Sequence, residues 1–151
     1  GKAIADLRRV VELAPDNANG LNALGYILLS PTKKNLDEAF KLIQAAYQIE
    51  PENPAINDSL GWAYFLKDDV QTALPYLQYA FEKYPDAEVA AHLGEALWAS
   101  GDQEKAKKIW TDSLKGEGDM KILRETMKRF GVEAAPKPTK KAQSGRSVKS
   151  K

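Results

Sequence analysis

Cysteine is absent from all 151 residues, which excludes a disulfide scaffold, a thiolate metal site and a cysteine nucleophile. That absence leaves the compartment open. Histidine occurs once, at His92. No apolar run approaches the roughly 18–20 residues that a membrane span needs, and no signal peptide is visible. There is also no surplus of one charge: 22 Lys and Arg stand against 21 Asp and Glu, and a net charge of +1 selects no partner. The distribution says more. Residues 1–133 carry 16 basic and all 21 acidic side chains, a net −5, while residues 134–151 carry six cations and no acid. Finally, the chain has no initial Met. It opens at Gly1 directly in a helical pattern (Ala3, Leu7, Val10, Val11) and is expected to be a segment of a longer protein.

What is present is a repeat. Leu-Gly recurs at Leu24-Gly25, Leu60-Gly61 and Leu93-Gly94, with the glycines 36 and 33 residues apart. Ala3, Ala39, Ala73 and Ala106 return at 36, 34 and 33, and Pro15, Pro51 and Pro85 at 36 and 34. Three residue types in one register of about 34 residues indicate stacked units of one kind. Apolar side chains at i, i+3, i+4 and i+7 flank each short polar break, so every unit is predicted to be a pair of helices. In the middle unit these run over about Pro54–Leu66 and Val70–Lys83, joined by Lys67-Asp68-Asp69. Gly61 and Ala73 fall on the facing sides, where a bulky residue would push the axes apart. Pro85 follows the second helix, where a residue lacking an N–H ends a helix readily. Pro75, inside that helix, is expected to bend it mildly.

The pattern resembles the tetratricopeptide repeat over about residues 3–118. It is carried by Leu21, Leu24, Gly25, Leu28, Ala39, Ile43, Ala46 and Pro51. Leu60, Gly61, Tyr64, Ala73, Leu77, Ala80, Phe81 and Pro85 repeat it, followed by Leu93, Gly94, Leu97, Ala106, Trp110 and Leu114. The sequence departs from it in a longer first turn (Ser30 to Asn35), at Asn57 and Ala90, where a large apolar residue is usual, and at Ser113 and Gly118. The resemblance implies an all-α, right-handed superhelical solenoid of antiparallel helix pairs with a C-terminal capping helix. The expected units are 1–16, the second helix of a truncated repeat, then repeats over 17–53, 54–86 and 87–118. A capping helix over 119–133 and a disordered basic tail over 134–151 complete the division. The cap is read from Asp119, an apolar stripe (Ile122, Leu123, Met127, Phe130) and a stop at Gly131. The tail, rich in Pro, Lys, Ser and Gly, has too little apolar surface to offset ordering entropy.

The resemblance also implies a function: holding a protein or peptide in the concave groove, with no enzyme activity, no cofactor and no small-molecule substrate. The family's contact positions carry over to Asn19, Asn22, Tyr26 and Leu29, then Ala55, Asp58, Trp62 and Phe65, then Glu88, Ala91, Glu95 and Trp98. Large aromatics there are expected interface anchors, and Trp62 and Trp98 are read as groove rather than core, whereas Tyr64 and Trp110 are read as core. The Lys and Asn that clamp a carboxyl-terminal acidic peptide in some members, at the fifth and ninth positions of the repeat, are replaced here by Asn22 and Tyr26, Asp58 and Trp62, and Ala91 and Glu95. The acids favour a basic or apolar segment. Leu21 to Tyr26, Asp58 to Trp62 and Glu88 to Glu95 further resemble the C-terminal repeats of bacterial cell-envelope members. Some of those are outer-membrane lipoproteins that act as adaptors, which would imply a periplasmic setting.

Candidate chemistry is sparse. Glu88 and Glu95 lie at i−4 and i+3 from His92 on one helix face. A metal site is one reading, but zinc takes three or four ligands and no second cluster is visible. A surface histidine paired with a nearby glutamate is favoured. Asp37-Glu38 is placed in a helix's first turn and Asp68-Asp69 at a cap, both structural roles. Gly116-Glu117-Gly118 lacks the lysine of a phosphate loop and is read as a linker. The competing function is nucleic-acid or anionic-surface binding through Lys137, Lys140, Lys141, Arg146, Lys149 and Lys151, disfavoured because the tail has no aromatic for base stacking. The tail folding onto the acidic body of its own molecule is a third possibility. Uncovered apolar residues at the first helix (Ala3, Leu7, Val10) suggest self-association through that end.

Overall fold

A computed structural model describes residues 1–133 as eight α-helices, with no strand among the described residues. The expected tail and its proposed anionic partners lie outside the described residues. The helices are α1 (Lys2–Leu13), α2 (Ala18–Leu28), α3 (Leu36–Ile49), α4 (Pro54–Leu66), α5 (Val70–Lys83), α6 (Ala87–Ala99), α7 (Gln103–Ser113) and α8 (Lys121–Arg129). The middle pair occupies the spans read from the sequence.

Local chemistry sets these bounds. Asn17, Asn53, Asp69, Asp86 and Asp102 each accept a hydrogen bond from a backbone N–H in the first turn that follows, for example Val89 N at 2.8 Å from Asp86 Oδ1. Such caps satisfy N–H groups that a helix start leaves without partners. Helices α1, α3 and α5 end two residues before Pro15, Pro51 and Pro85. The turn between α4 and α5 closes through Asp68, which adopts φ 65°, while Asp69 caps α5. Asn57, apolar in most such repeats by resemblance, is buried and donates from Nδ2 to the carbonyls of Pro51 and Asn53, both at 2.9 Å. It ties the turn before α4 to that helix instead of filling a core position.

Helices α2 and α3, α4 and α5, and α6 and α7 pair as hairpins, and each hairpin rests on the next. The glycines set how close the partners come. A methyl group at Gly61 would lie 2.7 Å from Leu77 Cγ, and one at Gly94 would lie 1.9 Å from Trp110 Nε1. Leu77 and Trp110 are fully buried by this approach. The first helices also form a row, since α2 contacts α4, α4 contacts α6 and α6 contacts α8. Helix α8 thus stands where a further first helix would, covering Trp110 with Leu123 and Met127. Asp119 accepts from the N–H of Lys121 at 2.9 Å, and Gly131 leaves the helix at φ 70°. Ile122, expected in the covering stripe, is instead exposed, and Leu123, Thr126 and Met127 face inward.

Candidate functional site

The row α2–α4–α6 brings most of the expected contact residues onto one face. Asn22 and Tyr26 from α2, Asp58 from α4 and Glu88 from α6 line a single pocket of about 190 Å³. Asp86 and Tyr84, from the turn before α6, complete its wall. Beside it, sharing Ala23 and Tyr26, lies a more apolar cleft of about 510 Å³ formed with Leu7, Ile27, Leu29 and Trp62. Asn22 Oδ1 is buried without a hydrogen-bond partner among the described residues. Burial, then the carboxylates of Glu88 and Asp58, push the Tyr26 pKa up, so its hydroxyl stays a neutral donor.

Trp62 is half-buried at the centre of a stack. Phe65 lies against one side, with ring centroids 4.8 Å apart and planes at 14°. His92 lies 4.1 Å away at 19°. His92 is not the surface residue expected from its own helix. It is 5% exposed, and its Nδ1 meets Asp58 Oδ1, also on a 5% exposed residue, at 2.9 Å. Burial works against the imidazolium, but the Asp58 carboxylate, helped by Glu88 and Glu95, outweighs it and raises the His92 pKa above its ordinary value. The pair fixes the imidazole plane on which Trp62 rests.

The remaining expected residues fall in different surroundings. Ala91 is 1% exposed and forms floor rather than contact surface. Asp58 is likewise enclosed and engaged by His92. Glu95 is half-buried and accepts from Arg129 of α8 at 2.9 Å. Phe65 is half-buried against the main core. Trp98 lies away from the pocket, 5.2 Å from Phe130 and 5.9 Å from Trp110 between ring centroids, so it braces the capping helix as well as facing outward. Among the described residues no group of three His, Cys, Asp or Glu side chains could hold a metal ion.

Sequence reasoning passed over Tyr84, Asp86, Ile27 and Arg129, and it sought the partner of His92 on its own helix, where the structure supplies Asp58. A signal existed for Arg129 and for the Asp58 pairing. Asp58 and His92, Glu95 and Arg129, and Asn19 and Asn53 are all 34 residues apart, and each pair makes a side-chain hydrogen bond. Residues one repeat apart adjoin across neighbouring first helices, whereas a search at i±3 and i±4 sees one helix only.

A profile of the tetratricopeptide repeat family matches residues 1–54 and 59–115. A TPR repeat-containing protein of Pseudomonas aeruginosa is 48% identical over 125 residues, covering 83% of this chain and 21% of the relative. The chain therefore spans about one fifth of that protein's length. Among solved structures, a thermophilic TPR protein of Thermus thermophilus superposes with a TM-score of 0.69 at 17% identity, over 86% of this chain and 72% of that one. MamA gives 0.60 at 20% identity, over 86% and 78%. A mutant O-GlcNAc transferase of Thermobaculum terrenum gives 0.63 at 26% identity, over 74% of this chain and 22% of the enzyme. The first two likenesses concern the fold alone.

Proposed function

Because the chain belongs to the tetratricopeptide repeat family, we propose that the face lined by α2, α4 and α6 holds a segment of another protein, as a non-catalytic adaptor or scaffold. The observation that carries this is Trp62, half-buried and held between Phe65 and His92 at the rim of an apolar cleft. A ring fixed in this way loses little freedom when a partner covers it, which is what makes aromatic side chains effective anchors. Tyr26 and Leu29 extend the same surface. Trp98 is a second anchor in this proposal, further along the row.

The resemblance of the first-helix segments to those of envelope adaptors supports a bacterial envelope setting, and fractionation of cells expressing the protein checks it. The function itself is tested by pull-down from a host extract. Trp62→Ala is expected to weaken capture with helical content by circular dichroism unchanged, and adding Trp98→Ala, which also loosens the brace on α8, is expected to lose the captured protein. Undiminished capture by the double variant removes the groove from consideration.

A further inference from the structure

The half-open pocket lined by Asn22, Tyr26, Asp58, Asp86 and Glu88 has a chemistry distinct from that of the cleft next to it. Its lining holds three carboxylates, Asp58, Asp86 and Glu88, and, among the described residues, neither Lys nor Arg. One oxygen of Asp58 is committed to His92 and one of Asp86 to the N–H of Val89. Asn22 adds a polar side chain to the wall, its Oδ1 sealed from solvent and without a hydrogen-bond partner among the described residues. Exposed Tyr84 and half-buried Tyr26 supply aromatic walls, a surface that favours a cation over a neutral group. The pocket's volume of about 190 Å³ suits one long side chain and excludes a folded element.

Building on the groove reading, we propose that this pocket receives a single Lys or Arg side chain of the bound polypeptide, with an apolar neighbour of that residue seated in the cleft of Leu7, Ile27, Leu29 and Trp62. The free carboxylate oxygens accept from the cation, and the aliphatic stem lies along Tyr26, with Asn22 in the pocket wall as the nearest amide reporter. Charge complementarity selects the basic residue, and the contiguity of the two cavities through Ala23 and Tyr26 selects the adjacent apolar one. An acidic segment would meet repulsion from three carboxylates.

The test uses the whole chain and two capped dipeptides, acetyl-Lys-Leu-amide and acetyl-Gln-Leu-amide, titrated at millimolar concentration and followed by nitrogen–proton correlation spectra. The Lys peptide is expected to shift the Asn22 side-chain amide and the Trp62 indole together. It should saturate at a concentration at least about tenfold lower than the Gln peptide, equal to about 1.4 kcal/mol. Glu88→Gln should narrow that difference, and Glu88→Lys should abolish it without loss of fold, because Glu88 is partly exposed and its side chain caps nothing. Equal response to both peptides, or a Lys preference that survives Glu88→Lys, overturns the proposal. Movement of the Trp62 indole with no response at Asn22 overturns the basic pocket yet leaves the groove standing. The groove reading fails separately, through undiminished protein capture by the tryptophan double variant.

Discussion

His92 and Asp58 lie 34 residues apart on neighbouring first helices and share a hydrogen bond of 2.9 Å with both residues nearly sealed from solvent. This contact welds the second hairpin to the third. A histidine whose folded pKa exceeds its unfolded value near 6.5 contributes stability that is complete below that value and disappears as pH climbs through the folded one. The raised His92 pKa has that sign. Urea midpoints are therefore expected to fall as pH rises above the ordinary histidine value. His92→Gln should flatten this slope and cost about 1–3 kcal/mol at pH 6 by stranding Asp58. A wild-type midpoint that rises over the same window would contradict the assignment.

The glycines of the repeat differ in what they face, and their substitutions should differ accordingly. At Gly61 a methyl group would lie 2.7 Å from Cγ of buried Leu77 and 3.2 Å from the Ala73 carbonyl, whereas at Gly94 it would lie 1.9 Å from the rigid indole of Trp110, a far deeper overlap. Overpacking of this kind costs roughly 1–3 kcal/mol and occasionally more. Gly94→Ala should exceed Gly61→Ala in thermal unfolding, and near-equal losses would mean that the indole has room to shift.

At the opposite end, α1 leaves Leu13 71% and Val10 42% exposed. Together with Ala3 they make an apolar strip suited to a second helix. Sedimentation at high concentration should show association of the intact chain and a monomer for Leu13→Glu with Val10→Glu. A strict monomer before mutation would remove self-association through this strip.

The six cations of residues 134–151 give a different readout. The intact chain is expected to leave a generic oligonucleotide unshifted in a gel at physiological salt. A salt-sensitive shift that vanishes on deleting 134–151 would assign an anionic partner to the tail instead.

The periodic Gly, Ala and Pro positions made the hairpins readable from sequence, because close approach and helix ending depend on residues that occupy fixed places in each unit. The middle pair was legible to its termini, since Asn53, Asp69 and the prolines act locally. The groove was legible only as a face. Tyr26, Trp62 and Glu88 could be assigned to it by their positions within a unit. Whether Asp58 points outward or clasps His92, and whether Ala91 is floor or contact, depends on how far one hairpin is rotated against the next. Within-helix spacing suggested Glu88 or Glu95 as the partner of His92, and the neighbouring hairpin supplied Asp58 instead. Ile122 fell out of the covering stripe for a similar reason: a helix of nine residues has few positions to fix its phase, and its neighbours chose Leu123 and Met127.

Trp110 keeps its indole N–H in the interior, against Gly94 of α6 and with no acceptor among the described residues, under a lid of Leu123, Met127 and Phe130. That hydrogen can trade with deuterium only when the last helix and the hairpin beneath it part, so its disappearance from a spectrum is a stopwatch for how often one end of the array frays.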